Sequence, residues 1–162
     1  MARNRGTIFE GQVLARLTAL VAPHGWAVKL REFKAVPIPG SKFLRAIPAD
    51  KMPADFLAFH GGNHYLIEAK TTRKKSLPIG DGGVQPHQLA ALIEWEMCSP
   101  ESFLIVECLA TGDEHVRRMS GHDLKFWLRD NPGAKSIPLV GPDAPGTILG
   151  PPEFWKIGGK GR

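Results

Sequence analysis

Two carboxylates and an ammonium occur in this chain at a spacing that suits metal-assisted hydrolysis. The segment that carries them is predicted to be two β-strands joined by a tight turn: 54–59, Gly61-Gly62 and 64–71. In such a hairpin Asp55 lies directly opposite Glu68, with Cβ atoms about 5 Å apart. Like charges so placed destabilise a sheet, and a divalent cation between them would offset the repulsion. The period of two along the second strand puts Lys70 beside Glu68.

A Glu-x-Lys pair on a strand is also common on a solvated surface, which is the competing interpretation of Glu68 and Lys70. The neighbouring residues favour a site, because Leu57, Phe59 and Leu66 share the face of the two carboxylates in this register. Carboxylates set among apolar side chains need a partner. We therefore expect a metal site on this hairpin.

Hydrophobic periodicity and turn residues predict the elements that must position these groups. An amphipathic helix is predicted from Thr7 to Ala22, followed by a strand from Trp26 to Phe33 with Trp26, Val28 and Leu30 on its inner face. Further predicted elements are a helix from Pro86 to Met97, a buried strand from Ser102 to Leu109, a helix from His122 to Arg129 and short strands near 137–140 and 154–157.

This order of elements predicts an α/β fold with a mixed central β-sheet flanked by helices. The 162 residues, 43% of them hydrophobic, suit a single domain over 1–162. Residues 35–53, with four prolines and several basic residues, are predicted to form a projecting stalk or loop, and 131–162 a Pro/Gly-rich C-terminal extension. We find neither a signal peptide nor a membrane-spanning stretch, so we expect a cytoplasmic protein without membrane contact.

The net charge of +5 is unevenly distributed along the chain. Residues 1–76 contain 13 Lys/Arg and 5 Asp/Glu, whereas residues 77–162 contain 8 and 11. The proposed acidic site therefore lies in the basic half, as expected for a protein that must attract a polyanion and still hold a cation. The candidate phosphate-binding residues are Arg3, Arg5, Lys29, Arg31, Lys34, Lys42, Arg45, Lys51, Arg73, Lys74 and Lys75.

Other residues with possible chemistry lack the required spacing. Cys98 and Cys108 form no metal-ligand pair and are expected to be reduced. The histidines show no repeated zinc-ligand spacing: His60, His64 and His87. The glycine-rich stretch 80–83 lacks a following Gly-Lys-Ser/Thr, so no nucleotide cofactor is expected. The tryptophans are predicted to be core residues: Trp26, Trp95, Trp127 and Trp155.

Four motifs follow one another along the chain: Arg5-Gly6-Thr7-Ile8-Phe9-Glu10, Ala54-Asp55-Phe56, Glu68-Ala69-Lys70 and His87-Gln88. Together they resemble the RecU-like Holliday-junction resolvases of the PD-(D/E)xK nuclease superfamily, with the archaeal Hjc enzymes as more distant cousins. Order and spacing agree across about residues 3–109, and 35–53 falls where RecU-like enzymes carry a stalk that reaches into the junction. The proline of the superfamily motif is displaced by one position here, in Pro53-Ala54-Asp55, and no motif matches beyond about residue 110.

The resemblance implies a restriction-endonuclease-like nuclease fold and Mg²⁺-dependent cleavage of four-way junction DNA by a homodimer, with Mn²⁺ able to substitute. By this resemblance Asp55, Glu68 and Gln88 would hold Mg²⁺. Lys70 would stabilise the transition state or orient the attacking water, and Glu10 would assist from the first helix.

Alternatives to these roles remain open. Glu10 is also explained as a carboxylate near the positive end of the helix dipole, and Gln88 as polar surface. For the whole protein, the alternatives are a PD-(D/E)xK nuclease of restriction or repair type, and a non-catalytic DNA-binding module of the same fold. A binding module would be expected to lack Asp55, Glu68 or Lys70, and all three are present.

Overall fold

The computed structural model describes residues 5–30, 33–37, 44–48, 52–98 and 101–150, with side chains for all of these except Arg5, 33–37, 44–48 and Cys98. The helices are α1 (Arg5–Val21), α2 (Pro86–Cys98) and α3 (Gly121–Asp130). The strands are β1 (Gly25–Lys29), β2 (Phe33–Pro37), β3 (Leu44–Pro48), β4 (Phe56–His60), β5 (Asn63–Thr72), β6 (Ser76–Pro78), β7 (Ser102–Cys108), β8 (His115–Ser120), β9 (Ser136–Pro138) and β10 (Thr147–Gly150).

A six-stranded mixed sheet organises the protein, in the order β1-β4-β5-β7-β8-β10. β5 and β7 run parallel, and the other neighbours in this sheet are antiparallel. β5 is an inner strand and is buried from Tyr65 to Ala69. The predicted α/β class with a mixed central sheet flanked by helices is confirmed.

The alternation of side chains along β5 divides the core into two layers. Ile67 and Ala69 pack in the layer of α1. The buried α1 residues of this layer recur every four positions: Phe9, Val13, Leu17 and Val21. Leu66 points the other way and packs with α2 and α3. Glu68 and Lys70 share the side of Leu66, so the predicted site lies on the α2/α3 side of the sheet.

The first strand ends earlier than predicted and turns its other face to the core. Trp26 and Val28 are 47% and 45% exposed, whereas Ala27 packs in the α1 layer. Lys29 forms an ion pair with Glu10 of α1. The prediction that Trp26 and Val28 face inward was wrong, because α1 covers the opposite face of β1, which carries Ala27 and Lys29.

A strand that the sequence analysis did not predict, β8, carries a buried arginine. The Arg117 guanidinium donates to the carbonyl oxygens of Leu139, Ala144, Pro145 and Gly146 at 3.0–3.2 Å. Leu139 itself is buried in the core, and β10 pairs with β8 in the main sheet. Residues 136–150 of the predicted extension are thus built into the domain, and the predicted strand at 154–157 lies outside the described residues.

Part of the segment 35–53 has regular structure. β2 and β3 form an antiparallel two-stranded sheet of their own, with Phe33 opposite Pro48 and Pro37 opposite Leu44. The predicted loop is therefore in part a β-ribbon, and its contact with DNA stays a prediction. Within the described ranges, no helix combines the length and the apolar character that crossing a membrane requires.

Candidate active site

The hairpin formed by β4 and β5 has the predicted register. Phe56 pairs with Ile67, and His60 pairs with Asn63 across the Gly61-Gly62 turn. Both turn glycines have positive φ, 57° and 85°, a conformation that other residues rarely adopt. The turn therefore fixes the pairing, and the pairing fixes which side chains of the two strands face one another.

Asp55 directly precedes β4 and lies across from Glu68, as predicted. Its N–H donates to the Ile67 carbonyl at 3.1 Å, one residue out of the register of β4 and β5, whose regular pairing ends at Phe56. Its carboxylate Oδ2 accepts from the Ala69 N–H at 3.0 Å. Backbone contacts on both sides therefore hold the Asp55 carboxylate in place.

The Glu68 carboxylate is fully buried, with 0% of the residue exposed. Lys70, two residues further along β5 and 23% exposed at its side chain, forms an ion pair with Glu68 Oε1. Apart from that ion pair, neither Glu68 oxygen has a hydrogen-bond partner among the described residues. A buried carboxylate in this situation is costly, so the arrangement calls for further positive charge.

Burial and the Asp55 carboxylate raise the pKa of Glu68 to about 8, and the Lys70 ammonium offsets this only in part. Without a bound cation, burial and Asp55 therefore favour the protonated form of Glu68, whereas the contact with Lys70 favours the ionised form. A divalent cation beside it would favour the ionised form and release the proton, because metal ligation requires the deprotonated carboxylate.

Burial also raises the pKa of Asp55, and the Ala69 N–H and the Lys70 ammonium act in the opposite direction. The Glu10 carboxylate raises the Asp55 pKa further, so Glu10 is near enough to influence the pair. In the structure Glu10 forms its ion pair with Lys29 of β1. Participation of Glu10 in metal or water positioning stays a prediction.

The chemistry of this carboxylate pair fits a hard divalent cation such as Mg²⁺. When both are ionised, Asp55 and Glu68 carry two negative charges against the single positive charge of Lys70. Magnesium prefers carboxylate oxygens and keeps several waters, so two protein carboxylates are a sufficient protein contribution. The described part of the chain contains no group of three or more His, Cys, Asp or Glu side chains arranged to share a metal.

The first residues of α2 have structural contacts that were not predicted. Gln88 Oε1 accepts from the Gln85 N–H at 3.0 Å, which satisfies a backbone donor at the start of the helix. His87 Nε2 donates to the Met52 carbonyl at 3.1 Å and so ties α2 to the segment that leads into Asp55. Ligation of a metal by Gln88 stays a prediction. The role of His87 depends on a contact across 35 residues, which the sequence does not show.

A cavity of about 530 Å³ opens beside Lys70 at the end of β5. The start of α1 contributes Gly6 and Glu10, the end of β5 and the following bend contribute 69–73, and a glycine-rich turn contributes Gly82 and Gly83. Three residues with separate predicted roles, Glu10, Lys70 and Arg73, therefore line one cavity. The sequence analysis missed Thr71 and Thr72, whose only sequence signal is that they follow the Glu-Ala-Lys motif. It considered the two glycines only as part of a nucleotide-binding loop, which it excluded.

The predicted DNA-binding residues fall into three groups. One group is exposed on the bend after β5, next to the cavity: Arg73, Lys74 and Lys75. A second group has only its backbone described, at the start of α1 and in the β-ribbon: Arg5, Lys34 and Arg45. The third group lies outside the described residues: Arg3, Arg31, Lys42 and Lys51. Lys29, which was also a candidate, is paired with Glu10.

Comparison with solved structures finds distant likenesses. Hjc from Archaeoglobus fulgidus, a Holliday junction resolvase from an archaeal hyperthermophile, matches with a TM-score of 0.45 and 14% identity, over 74% of this chain and 75% of that one. The protein SSO0001 matches with a TM-score of 0.36 and 13% identity, over 83% of this chain and 62% of that one. No protein-family model matches the sequence, and no curated protein matches it.

Proposed function

We propose that this protein is a Mg²⁺-dependent endonuclease that hydrolyses phosphodiester bonds in DNA, with its active site at Asp55, Glu68 and Lys70. The observation that carries the proposal is the fully buried Glu68 carboxylate, which faces Asp55 and is ion-paired with Lys70. Such an arrangement costs stability, and active sites are where proteins most often retain it. The four motifs that resemble RecU-like enzymes, in the same order, support the same activity.

Each of the three residues has a position that suits this reaction. Hydrolysis adds a water oxygen to phosphorus and breaks one P–O ester bond, while the water loses a proton and the leaving oxygen gains one. Asp55 and Glu68 would hold Mg²⁺, which when bound lowers the pKa of a coordinated water and neutralises phosphate charge. Lys70 pairs with Glu68 Oε1 and also borders the cavity, so its charge is held where negative charge would develop on a phosphate.

The surroundings of the carboxylates keep them oriented. Asp55 Oδ2 is held by the Ala69 N–H, and the bond from His87 to Met52 fixes the segment that enters the hairpin. Groups that orient a metal-binding side chain in this way strengthen binding, because less conformational freedom is lost when the ligand arrives. The Ala69 N–H and His87 are thus positioning groups for Asp55.

We further propose four-way junction DNA as the substrate, and a homodimer as the acting form, with Mn²⁺ able to replace Mg²⁺. The exposed residues 73–75 give positive charge beside the cavity, and the β-ribbon falls in the segment that corresponds to the RecU-like stalk. Two symmetric nicks in a two-fold symmetric junction call for two active sites, which a homodimer supplies.

Cleavage of a labelled four-way junction and of a linear duplex of equal length, each in Mg²⁺, Mn²⁺ or EDTA, tests the proposal. We expect paired cuts in the junction with either metal, slower cutting of the duplex, and no cutting in EDTA. Asp55→Asn should be inactive, whereas Glu94→Gln, an exposed position on α2, should match the parent. Equal rates on both substrates would refute the junction preference alone, and cutting in EDTA or by Asp55→Asn would refute the site.

A further inference from the structure

β5 continues beyond the strand that pairs with one of its edges. Phe56, the first residue of β4, pairs with Ile67, but β5 runs on to Thr72 and remains paired with β7 on its other edge. From Ala69 to Thr72, β4 therefore does not pair with this edge of β5, and we call this stretch the open edge. The Asp55 carboxylate lies at the start of this open edge, on the Ala69 N–H.

Backbone direction alternates along this part of β5. The Ala69 N–H points to the β4 side, where it donates to Asp55. The Thr72 carbonyl points to the β7 side, where it accepts from the Leu109 N–H at 2.8 Å. By the same alternation, the N–H and the carbonyl of Thr71 point to the open edge. The open edge therefore presents one backbone donor, the Thr71 N–H, as well as side chains.

The cavity of about 530 Å³ borders this edge, and its lining is cationic and rich in donors. The side chains that supply charge are Lys70 and Arg73, and Thr72 supplies a hydroxyl group. The Thr71 hydroxyl also lies in the lining, but it donates to Glu107 Oε2 at 3.3 Å. Glu10 also lines the cavity, but its charge is balanced by the ion pair with Lys29. Lys70 is likewise paired with Glu68, so Arg73 supplies the positive charge of the lining that these two ion pairs do not balance. An arginine together with N–H and O–H donors suits a phosphodiester.

We propose that this cavity is a subsite for a DNA backbone phosphate adjacent to the one that is cut, so that the cut strand runs along the open edge of β5. The inference rests on the proposed nuclease function. Lys70 serves the reacting phosphate beside the carboxylates, and Arg73, on the bend that directly follows β5, serves its neighbour. In the glycine-rich turn, Gly82 leaves room for the strand to pass, whereas Gly83 faces the Pro78 backbone.

Gly82 allows a direct test because it lines the cavity and has space for a side chain. Its φ is +75°, and a Cβ there would meet no described atom within 4 Å. Gly112, in the turn between β7 and β8, has a φ of +87° and the same open surroundings, and it is not part of the cavity lining. Asn and Asp tolerate positive φ better than other side chains. Gly82→Asn, Gly82→Asp and Gly112→Asp are therefore a matched set.

Binding of a labelled junction in EDTA at one salt concentration, and cleavage in Mg²⁺, would be measured for this set. Gly82→Asp should bind about tenfold more weakly than Gly82→Asn and raise KM more than it lowers kcat, because a carboxylate in the subsite repels phosphate. Gly112→Asp should bind within about twofold of the parent, as distant surface charges are screened. Equal binding by Gly82→Asp and Gly112→Asp would overturn the subsite.

The cation of the subsite is tested separately. Arg73→Ala should reduce the slope of log K against log salt concentration by about one, as expected for the loss of one phosphate contact. Lys125→Ala, at an exposed position on α3, should leave the slope unchanged. An unchanged slope in Arg73→Ala would show that Arg73 makes no phosphate contact and is not part of the subsite. If the parent binds but never cuts, the proposed function fails, and these binding comparisons still decide the subsite.

Discussion

Replacing Glu68 by glutamine should stabilise the metal-free protein at alkaline pH while it abolishes cleavage. The Glu68 carboxyl has a pKa of about 8 in the folded protein, against an ordinary value of 4.5. Between pH 4.5 and about pH 8 the folded state binds more protons than the unfolded state, so the free energy of unfolding falls as the pH rises. The glutamine side chain of the variant would be neutral at every pH and would not contribute this loss.

The difference between the folded and the ordinary pKa of Glu68 determines how much the free energy of unfolding changes with pH. At ~1.4 kcal/mol for each pH unit, the free energy of unfolding should fall by about 5 kcal/mol between pH 4 and pH 9 because of this carboxyl alone. For a chain of this length, that corresponds to a decrease in Tm on the order of 10 °C. The difference between Glu68→Gln and the parent should therefore be small at pH 5 and large at pH 8 to 9.

Urea denaturation in EDTA, followed by circular dichroism at each pH from 5 to 9, would measure this difference. Glu94→Gln on the exposed side of α2 is the matched control and should follow the parent at every pH. Added Mg²⁺ should raise the stability of the parent at pH 8 far more than that of Glu68→Gln, because binding to the folded state stabilises it. Parallel stability curves for Glu68→Gln and the parent would refute a carboxyl that titrates near pH 8.

Three further outcomes follow from the site and the ribbon. Asp55→Asn should lose cleavage but keep or strengthen junction binding in a gel-shift assay, because a charge that repels phosphate is removed; undiminished cutting would remove Asp55 from the site. Lys70→Ala should cut roughly 10²-fold more slowly in single-turnover assays with little change in binding, and a pure binding defect would make it a phosphate anchor instead. Replacing residues 39–51 by a short Gly-Ser linker should spare the metal site and abolish the preference for junctions over linear DNA in competition binding, since prolines limit the conformations of that segment. An unchanged preference would show that another part of the protein distinguishes junctions from linear DNA.

The hairpin and its carboxylate pair were predictable because local rules determine them. The Gly61-Gly62 turn fixes the register, and the period of two then places Asp55, Glu68 and Lys70 without knowledge of the rest of the fold. The start of α3 is a similar case, because a helix was predicted from His122 and the observed helix begins at Gly121. Ser120 and Asp123 begin it with reciprocal capping bonds at 3.0 and 2.9 Å.

The face of β1 and the existence of β8 depend on contacts between distant segments, and these were not predictable. Alternation showed that Trp26 and Val28 share a face, but not that α1 would cover the opposite one. Trp26 instead stacks with Phe59 at the surface, with ring centroids 6.3 Å apart. In β8, the two adjacent arginines are typical of an exposed segment, so the sequence did not indicate a buried strand. Arg117 can be buried because its acceptors come from residues more than twenty positions later in the chain.

The way in which Arg117 holds that loop affects which sequence changes the protein can tolerate. Its guanidinium binds backbone carbonyls, which every amino acid supplies, so the residue types at Ala144 and Pro145 are free to vary while the anchoring is kept. Gly146 is different, because a Cβ there would lie 2.1 Å from the Arg118 carbonyl oxygen. Shortening the loop would leave the buried Arg117 guanidinium with the Leu139 carbonyl but without its acceptors at 144–146. Its length, and the glycine at its end, are therefore more constrained than the composition of the rest.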